Sequence, residues 1–302
     1  WHQAAGQGNA EAQYLLGLRY AEGDGVPKNS PEAVKWSRRA AEQGHLQAQQ
    51  FLGRMYYFGD GVRKDDAEAL KWWREGAEQG NAEAQYLLGL RFADGNGVPQ
   101  NVAEATKWYR KAAEQGNADA QRNLGYMYLN GNGVRQDTAE AFKWWHEAAE
   151  RGDAISQNNL GVIYENGDIV PRDSAEAVKW YRKAAEQRDA TAQRNLGLMY
   201  ARGVGVPEDL VQAHVWWNLA GAQGDKDAQV YLKEVEKEIE PEFNQFRDTA
   251  LKLRDGQQYK AAIDKIAEFP AANYGYTSFP RKAASLQKEI LADAEASLKT
   301  IK

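Results

Sequence analysis

The chain has 302 residues, 43% of them hydrophobic, a formal net charge of −5 and a pI near 5.6, which allows a packed core and excludes a disordered tail. An acidic balance without clustered Lys and Arg argues against nucleic acid or an anionic membrane as partner. No apolar run approaches the roughly 18 residues of a membrane span, and the lack of cysteine excludes disulfides and thiolate metal sites while leaving the compartment open.

The opening residues, Trp1-His2-Gln3-Ala4-Ala5, resemble Tyr109-Arg110-Lys111-Ala112-Ala113 further on, so the chain is expected to begin inside a helix of a longer parent. No charged-then-apolar signal pattern precedes it. A 36-residue period then governs the chain. It carries Trp36, Trp72, Trp108, Trp144, Trp180 and Trp216, and likewise Leu16, Leu52, Leu88, Leu124, Leu160, Leu196 and Leu232. Gly17, Gly53, Gly89, Gly125, Gly161 and Gly197 share the spacing, as do Tyr20, Tyr56, Phe92, Tyr128, Tyr164 and Tyr200.

Within one period, Ala84, Leu88 and Phe92 lie four apart and predict a helix over Asn81 to Ala93, here called helix A. Gly95 and Gly97 end it, because glycine reaches left-handed backbone angles at little cost. Helix B follows from Val102, with Ala105, Trp108, Ala112 and Ala113 on one face. Its other face repeats Glu32/Lys35, Glu68/Lys71, Glu104/Lys107, Glu140/Lys143 and Glu176/Lys179, pairs worth about 0.2–0.5 kcal/mol each. Gly116-Asn117 closes the unit, with Asn117 as N-cap of the next helix A. One hairpin cannot bury both apolar stripes, so the units must stack. The tryptophan column is expected to pack between hairpins, a reading preferred over a ligand cage.

Near 240 the periodicity stops, and Pro241 marks the break. Helices are still predicted over Phe243 to Leu253, Tyr259 to Phe269 and Arg281 to Leu298. An aromatic, proline-bearing loop runs from Phe269 to Pro280. A cap over the last repeat's apolar end is favoured over a separate interaction module.

The pattern Ala-x-x-x-Leu-Gly-x-x-Tyr, Gly-x-Gly-Val, Glu-Ala-x-Lys-Trp and Ala-Ala-Glu-Gln-Gly resembles the Sel-one-like repeat family, a relative of the tetratricopeptide repeat. The resemblance spans about residues 1–240, a partial first unit and about six full repeats. It implies an all-α fold, a right-handed α/α superhelix (solenoid) of 36-residue helix-turn-helix repeats, with 241–302 as a helical C-terminal cap. Two departures stand out: Ile169 replaces the second loop glycine, and Arg188 replaces the glycine between helices.

Catalytic chemistry finds little purchase. His2, His45, His146 and His214 occupy unrelated repeat positions without metal or triad spacing. Ser285-Leu-Gln-Lys288 matches Ser-x-x-Lys, but no Ser-Asp-Asn or Lys-Thr-Gly accompanies it. Cysteine-rich members of the family have been linked to penicillin binding, and this chain lacks their cysteines. The Gly-Asp-Gly and Gly-Asn-Gly turns lack the remainder of a P-loop or EF-hand. No enzyme, cofactor or metal site is expected.

Alignment with the tetratricopeptide helix A places columns 11, 14, 18, 21 and 22 on a concave wall, and the side chains there vary between units. Its first part is apolar and aromatic, with Tyr14, Leu18, Tyr57, Phe58, Tyr86, Leu90 and Tyr126; Arg54 lies beside it. Its later part is polar, with Arg122, Asn130, Asn158, Asn166, Arg194 and Arg202. Tyr57 and Phe58 stand where other units carry Ala21/Glu22, Ala93/Asp94 and Glu165/Asn166, so repeat packing does not call for them. Exposed aromatics beside an arginine have the composition of a binding hot spot, whereas packing on Phe51 or the next hairpin is the alternative.

The expected function is therefore a non-enzymatic scaffold or adaptor that holds a peptide or protein segment. The rival reading is an enzyme or cell-wall ligand-binding protein acting through the C-terminal segment. The resemblance favours a bacterial, periplasmic or secreted setting. The oligomeric state is not legible.

Overall fold

The computed structural model describes residues 1–234 and the positions 248, 249, 252, 255, 258, 286–290 and 292. Among these all regular structure is helical: α1 (His2–Gly6), α2 (Ala10–Glu22), α3 (Ser30–Glu42), α4 (Leu46–Phe58), α5 (Asp66–Glu78), α6 (Ala82–Asp94) and α7 (Val102–Glu114). There follow α8 (Ala118–Asn130), α9 (Thr138–Glu150), α10 (Ala154–Asn166), α11 (Ser174–Glu186), α12 (Ala190–Arg202) and α13 (Leu210–Ala222). A further helical stretch covers 226–234. Even numbers from α2 to α12 are helix A, and odd numbers from α3 to α13 are helix B. The chain divides into two compact units, Trp1–Ser156 and Gln157–Lys302. The C-terminal helices and loop expected over 241–302 lie outside the described residues, apart from the single positions named, among which Leu286 and Ile290 are buried.

Local chemistry sets the helix ends. Asn9, Asn81, Asn117 and Asp189 each accept a hydrogen bond from the N–H three residues on, in the first turn of a helix A. His45 does the same with its imidazole Nδ1, at 3.2 Å from the Ala48 nitrogen. Asn29, Asp65, Asn101, Asp137, Asp173 and Asp209 cap helix B in this way. At the far end of helix A the chain turns on a left-handed glycine, as at Gly95 with φ of 72°.

In the first unit each helix packs on its neighbours in sequence, α2 on α3, α3 on α4 and so on to α8 on α9. The leucine column is fully buried, at 0–1% exposure from Leu16 to Leu196. The tryptophan column is mixed: Trp72, Trp144 and Trp180 are buried, and Trp36, Trp108 and Trp216 are half-buried. The tighter column is the next residue along, Ser37, Trp73, Tyr109, Trp145, Tyr181 and Trp217, buried throughout. These side chains lie flat over the helix-A glycines. A Cβ on Gly53, Gly125 or Gly197 would run into the indole of Trp73, Trp145 or Trp217, and one on Gly89 would stand 2.7 Å from Tyr109 Cδ1. The three indole N–H groups donate to the carbonyls of Gln50, Arg122 and Arg194 at 3.2, 3.1 and 3.1 Å.

A buried glutamine ladder stitches the hairpins. Gln13, Gln49, Gln85 and Gln121 donate to the carbonyls of Ala5, Ala41, Ala77 and Ala113, the ends of the preceding helices B. Gln43, Gln79 and Gln115 then donate to the side-chain oxygens of Gln13, Gln49 and Gln85. Gln193 and Gln223 repeat the motif in the second unit. Satisfying these amides inside the stack fixes the register between neighbours, since a slipped pairing would leave buried donors unmet. On the outer face, four of the five expected Glu/Lys pairs form at 2.6–3.8 Å, whereas Lys71 lies over the Trp72 ring. All are solvated pairs of small worth.

At the two departures the backbone responds differently. Arg188 keeps the left-handed geometry of the glycine it replaces, φ 71°, the one non-glycine residue at positive φ among the described residues. Ile169 does not adopt the left-handed angle of its counterparts Gly97 and Gly133.

Candidate partner-binding cleft

On the helix-A wall of the first unit, α2 and α4 enclose a cleft of about 480 Å³. Tyr14, Leu18 and Glu22 line it from α2, Gln50, Phe51, Arg54, Met55 and Phe58 from α4, and Asp60 from the loop beyond. Helical spacing explains the grouping: Tyr14, Leu18 and Glu22 are four apart, as are Gln50, Arg54 and Phe58, so each set shares one face. Phe58 is 68% exposed. Its column otherwise holds Glu22, Asp94, Asn130, Asn166 and Arg202, all polar.

Tyr14 is held from the side. Its ring lies 4.9 Å from His45 and 6.4 Å from Phe51, and His45 Nε2 meets Glu11 Oε2 at 2.8 Å. Because Nδ1 accepts from Ala48, the neutral ring carries its proton on Nε2 and donates it to Glu11. Burial, then the Glu11 and Glu22 carboxylates, raise the Tyr14 hydroxyl above its ordinary pKa of 10.0, so it stays a neutral donor. The cleft thus offers aromatic and aliphatic surface, one phenol, one guanidinium and two carboxylates. That suits recognition of an amphipathic chain segment.

The remaining sequence candidates do not share this cleft. Tyr57 turns away from Phe58 and packs on Trp73 at 5.6 Å, with the Arg91 guanidinium over its ring at 4.6 Å. It belongs to the hairpin's packing. Tyr86 and Leu90 pack against the core around Tyr109 and Leu124, with Tyr86 at 5.9 Å from the Tyr109 ring. Tyr126, 37% exposed, meets Trp145 edge-on at 5.1 Å. Arg122 is engaged by Asp119 at 2.6 Å and by Asp153. Asn158 lies in the second unit, is 9% exposed and accepts from Asn195 at 3.1 Å, so it presents no free edge. Conversely, Phe51, Gln50 and Met55 line the cleft and were not singled out by sequence. Phe51 had a signal, since its column changes from Leu15, Phe51 and Leu87 to Asn123, Asn159 and Asn195.

A second hollow of about 450 Å³ runs along α7 beside Trp108. Its charges are already engaged, with Lys111 4.2 Å from the Trp108 ring centre and Lys107 on Glu104. The histidines serve packing: His2 meets Tyr20 and Trp36 edge-on, His146 lies by Phe142, and His214 is buried. Among the described residues no group of three His, Cys, Asp or Glu side chains could hold a metal ion, and no helix is long and apolar enough to cross a membrane. Ser285 lies outside the described residues.

Comparison with known proteins agrees with this architecture. The Sel1 repeat profile matches six consecutive segments, 10–45, 46–81, 82–117, 118–153, 154–189 and 190–225. Among curated proteins none matches the chain. Among solved structures the chain is similar to c5321, a protective antigen of uropathogenic Escherichia coli with an SLR fold. The identity is 33% and the TM-score 0.75, over 98% of this chain and 71% of that one. It is also similar to a Sel1 repeat protein of Oxalobacter formigenes, at 38% identity and TM-score 0.68, over 72% of this chain and 89% of that one. With repeat matches running unbroken from 10 to 225, the chain belongs to the Sel1 repeat family.

Proposed function

We propose that this protein is a non-enzymatic scaffold that grips a peptide or protein segment in the α2/α4 cleft. Sel1 repeat proteins are in general protein-interaction scaffolds. The observation that carries the reading is Phe58, a large apolar side chain 68% exposed at a position where the other five repeats are polar. Tyr14, Leu18 and Phe51 give it an apolar bed, and Glu22, Arg54 and Asp60 form a charged rim. A central aromatic anchor within a polar rim is the usual anatomy of a hot spot. The E. coli relative is a protective antigen, which supports a periplasmic or secreted setting.

The test places a photoreactive phenylalanine analogue at Phe58, and at Asn130 of the same column as control. A saturable adduct with one partner is expected from position 58 and not from 130. Phe58→Glu should leave the melting temperature unchanged, since Glu22 occupies that column in the first repeat, and should abolish capture by an analogue placed at Phe51. Equal labelling from both positions refutes the cleft.

A further inference from the structure

Arg91 is chemically out of place. It is 6% exposed, and neither Nε nor Nη1 finds an acceptor among the described residues. Its guanidinium rests on two aromatic faces, 4.6 Å from the Tyr57 ring and 5.7 Å from that of Trp73. Lys64 Nζ approaches the same Tyr57 ring at 5.3 Å, but Lys64 has Asp66 at 3.6 Å. Arg19, one two-repeat step earlier, also has a carboxylate, Asp24, at 3.6 Å. At the equivalent of Asp24 the chain carries Asn96, and Asp94 on the same helix makes no ion pair with Arg91.

Packing does not require an arginine here. The column reads Arg19, Met55, Arg91, Met127, Ile163 and Met199, and its three methionines and isoleucine are all buried. Methionine would fill the space without a charge to desolvate. Cation–π contact offsets part of that cost but leaves the N–H donors unmet. A guanidinium fork lying on aromatic faces, with donors unspent, is matched by a planar anion that takes two parallel hydrogen bonds.

We infer that Arg91, seated on Tyr57 and Trp73, is a receptor for a carboxylate of the bound segment, so that the partner is an acidic peptide. The site lies one side chain from the cleft, because the Tyr57 ring touches Phe58 at 5.0 Å. The inference rests on reading the helix-A wall of the first unit as the binding surface. The carboxylate is either an Asp or Glu side chain or a C-terminus.

The test follows the Arg91 Nε–Hε resonance of the full chain by NMR during titration with N-acetylglutamate α-amide, which offers only a side-chain carboxylate. N-acetylleucine, offering only an α-carboxylate, is titrated in parallel, with sodium chloride at equal ionic strength as control. A saturable shift with one or both carboxylates, absent with chloride and absent in Arg91→Met, is expected; the tighter ligand identifies the source. Arg91→Met should melt no lower than the wild type, and Arg91→Lys should bind at least roughly tenfold more weakly, having lost the bidentate fork. No shift with either carboxylate overturns the inference, as does a chloride response of equal size. An Arg91→Met variant that melts well below the wild type, or fails to fold, shows that the arginine is structural and overturns it too. Failure of the cleft reading is separate, since it would appear at Phe58 and leave this titration unchanged.

Discussion

Replacing Arg188 by Gly is expected to stabilise the protein although it removes a whole side chain. Arg188 has φ of 71°, while the glycines at the same point of the other hairpins, Gly8, Gly44, Gly80, Gly116, Gly152 and Gly224, lie between 81° and 96°. At Gly8, Gly80, Gly152 and Gly224 an added Cβ would meet nothing within 4 Å, so a side chain there is not crowded. The cost is the backbone's own. An L-residue held in the left-handed region costs about 1–2 kcal/mol, and the extra unfolded-state freedom of glycine returns about 0.4–1 kcal/mol of that. The net gain for Arg188→Gly is then about 0.5–1 kcal/mol. Urea unfolding followed by far-UV circular dichroism measures it, with an unchanged m-value as the condition for comparison. Gly152→Arg should lose a similar amount. Arg188 borders the hollow lined by Trp216 and Leu219, so Arg188→Ala serves as the control for side-chain packing. If Arg188→Gly unfolds at lower urea than the wild type, the reasoning fails, because the side chain must then contribute more than the strain.

Gly97, with φ of 79°, should lose about 1 kcal/mol or more on replacement by Val, a β-branched residue that fits that region poorly; a melting curve checks it. Trp73→Ala should cost about 3–5 kcal/mol, the range for a buried aromatic, and more than Trp108→Ala, because Trp108 is only half-buried. Burial is the first cause that raises the Tyr109 and Tyr181 hydroxyls above their ordinary pKa of 10.0, with Glu165 adding to it at Tyr181. Their folded pKa values are raised, so their contribution is complete below pH ~10 and is lost as the pH climbs from there towards the folded values. Stability should fall above pH ~10, and Tyr109→Phe and Tyr181→Phe should each flatten that fall; an unchanged slope in both would refute the assignment.

The repeat period made the helices legible because the same packing problem is solved at each turn of the stack, so Leu, Gly and aromatic columns recur without insertion. Caps and turns were legible because they are local: Asn117 accepts from Ala120, three residues away. The cleft was less so. Tyr57 and Phe58 are neighbours in sequence, yet one helical step turns the side chain by about 100°, and that step separates packing on Trp73 from exposure to solvent. Asn158 occupies the same column as Tyr14, but its fate depends on Asn195, a contact 37 residues distant. Arg122 likewise reads as a free arginine until Asp153, 31 residues on, is brought beside it. Columns tell which face a residue shares; they do not tell what has already been spent across the stack.

The helix-A glycines test that distinction most directly, because one sequence column hides two physical situations. Glycine in a helix interior ordinarily costs about 0.5–1 kcal/mol relative to alanine, so Gly→Ala should stabilise wherever a methyl group fits. At Gly53 it does not fit: three atoms of the Trp73 indole lie in its place, and that ring is anchored by its hydrogen bond to Gln50. Overpacking of this kind costs about 1–3 kcal/mol, more than the helix gains. At Gly17 the side-chain neighbour is the Ser37 hydroxyl, a single atom that can rotate away, and the backbone contacts stand at 3.2 Å. Gly17→Ala should therefore be close to neutral, whereas Gly53→Ala should be clearly destabilising, although the two positions are indistinguishable in the repeat pattern. Trp73→Ser gives the 53/73 pair the Ser37 arrangement, and in that background Gly53→Ala should lose most of its penalty. The coupling read from this double-mutant cycle is expected at about 0.5–3 kcal/mol. Equal costs at Gly17 and Gly53, or a cycle with no coupling, would mean that the glycine column answers to the backbone of the neighbouring helix and not to the aromatic ring laid over it.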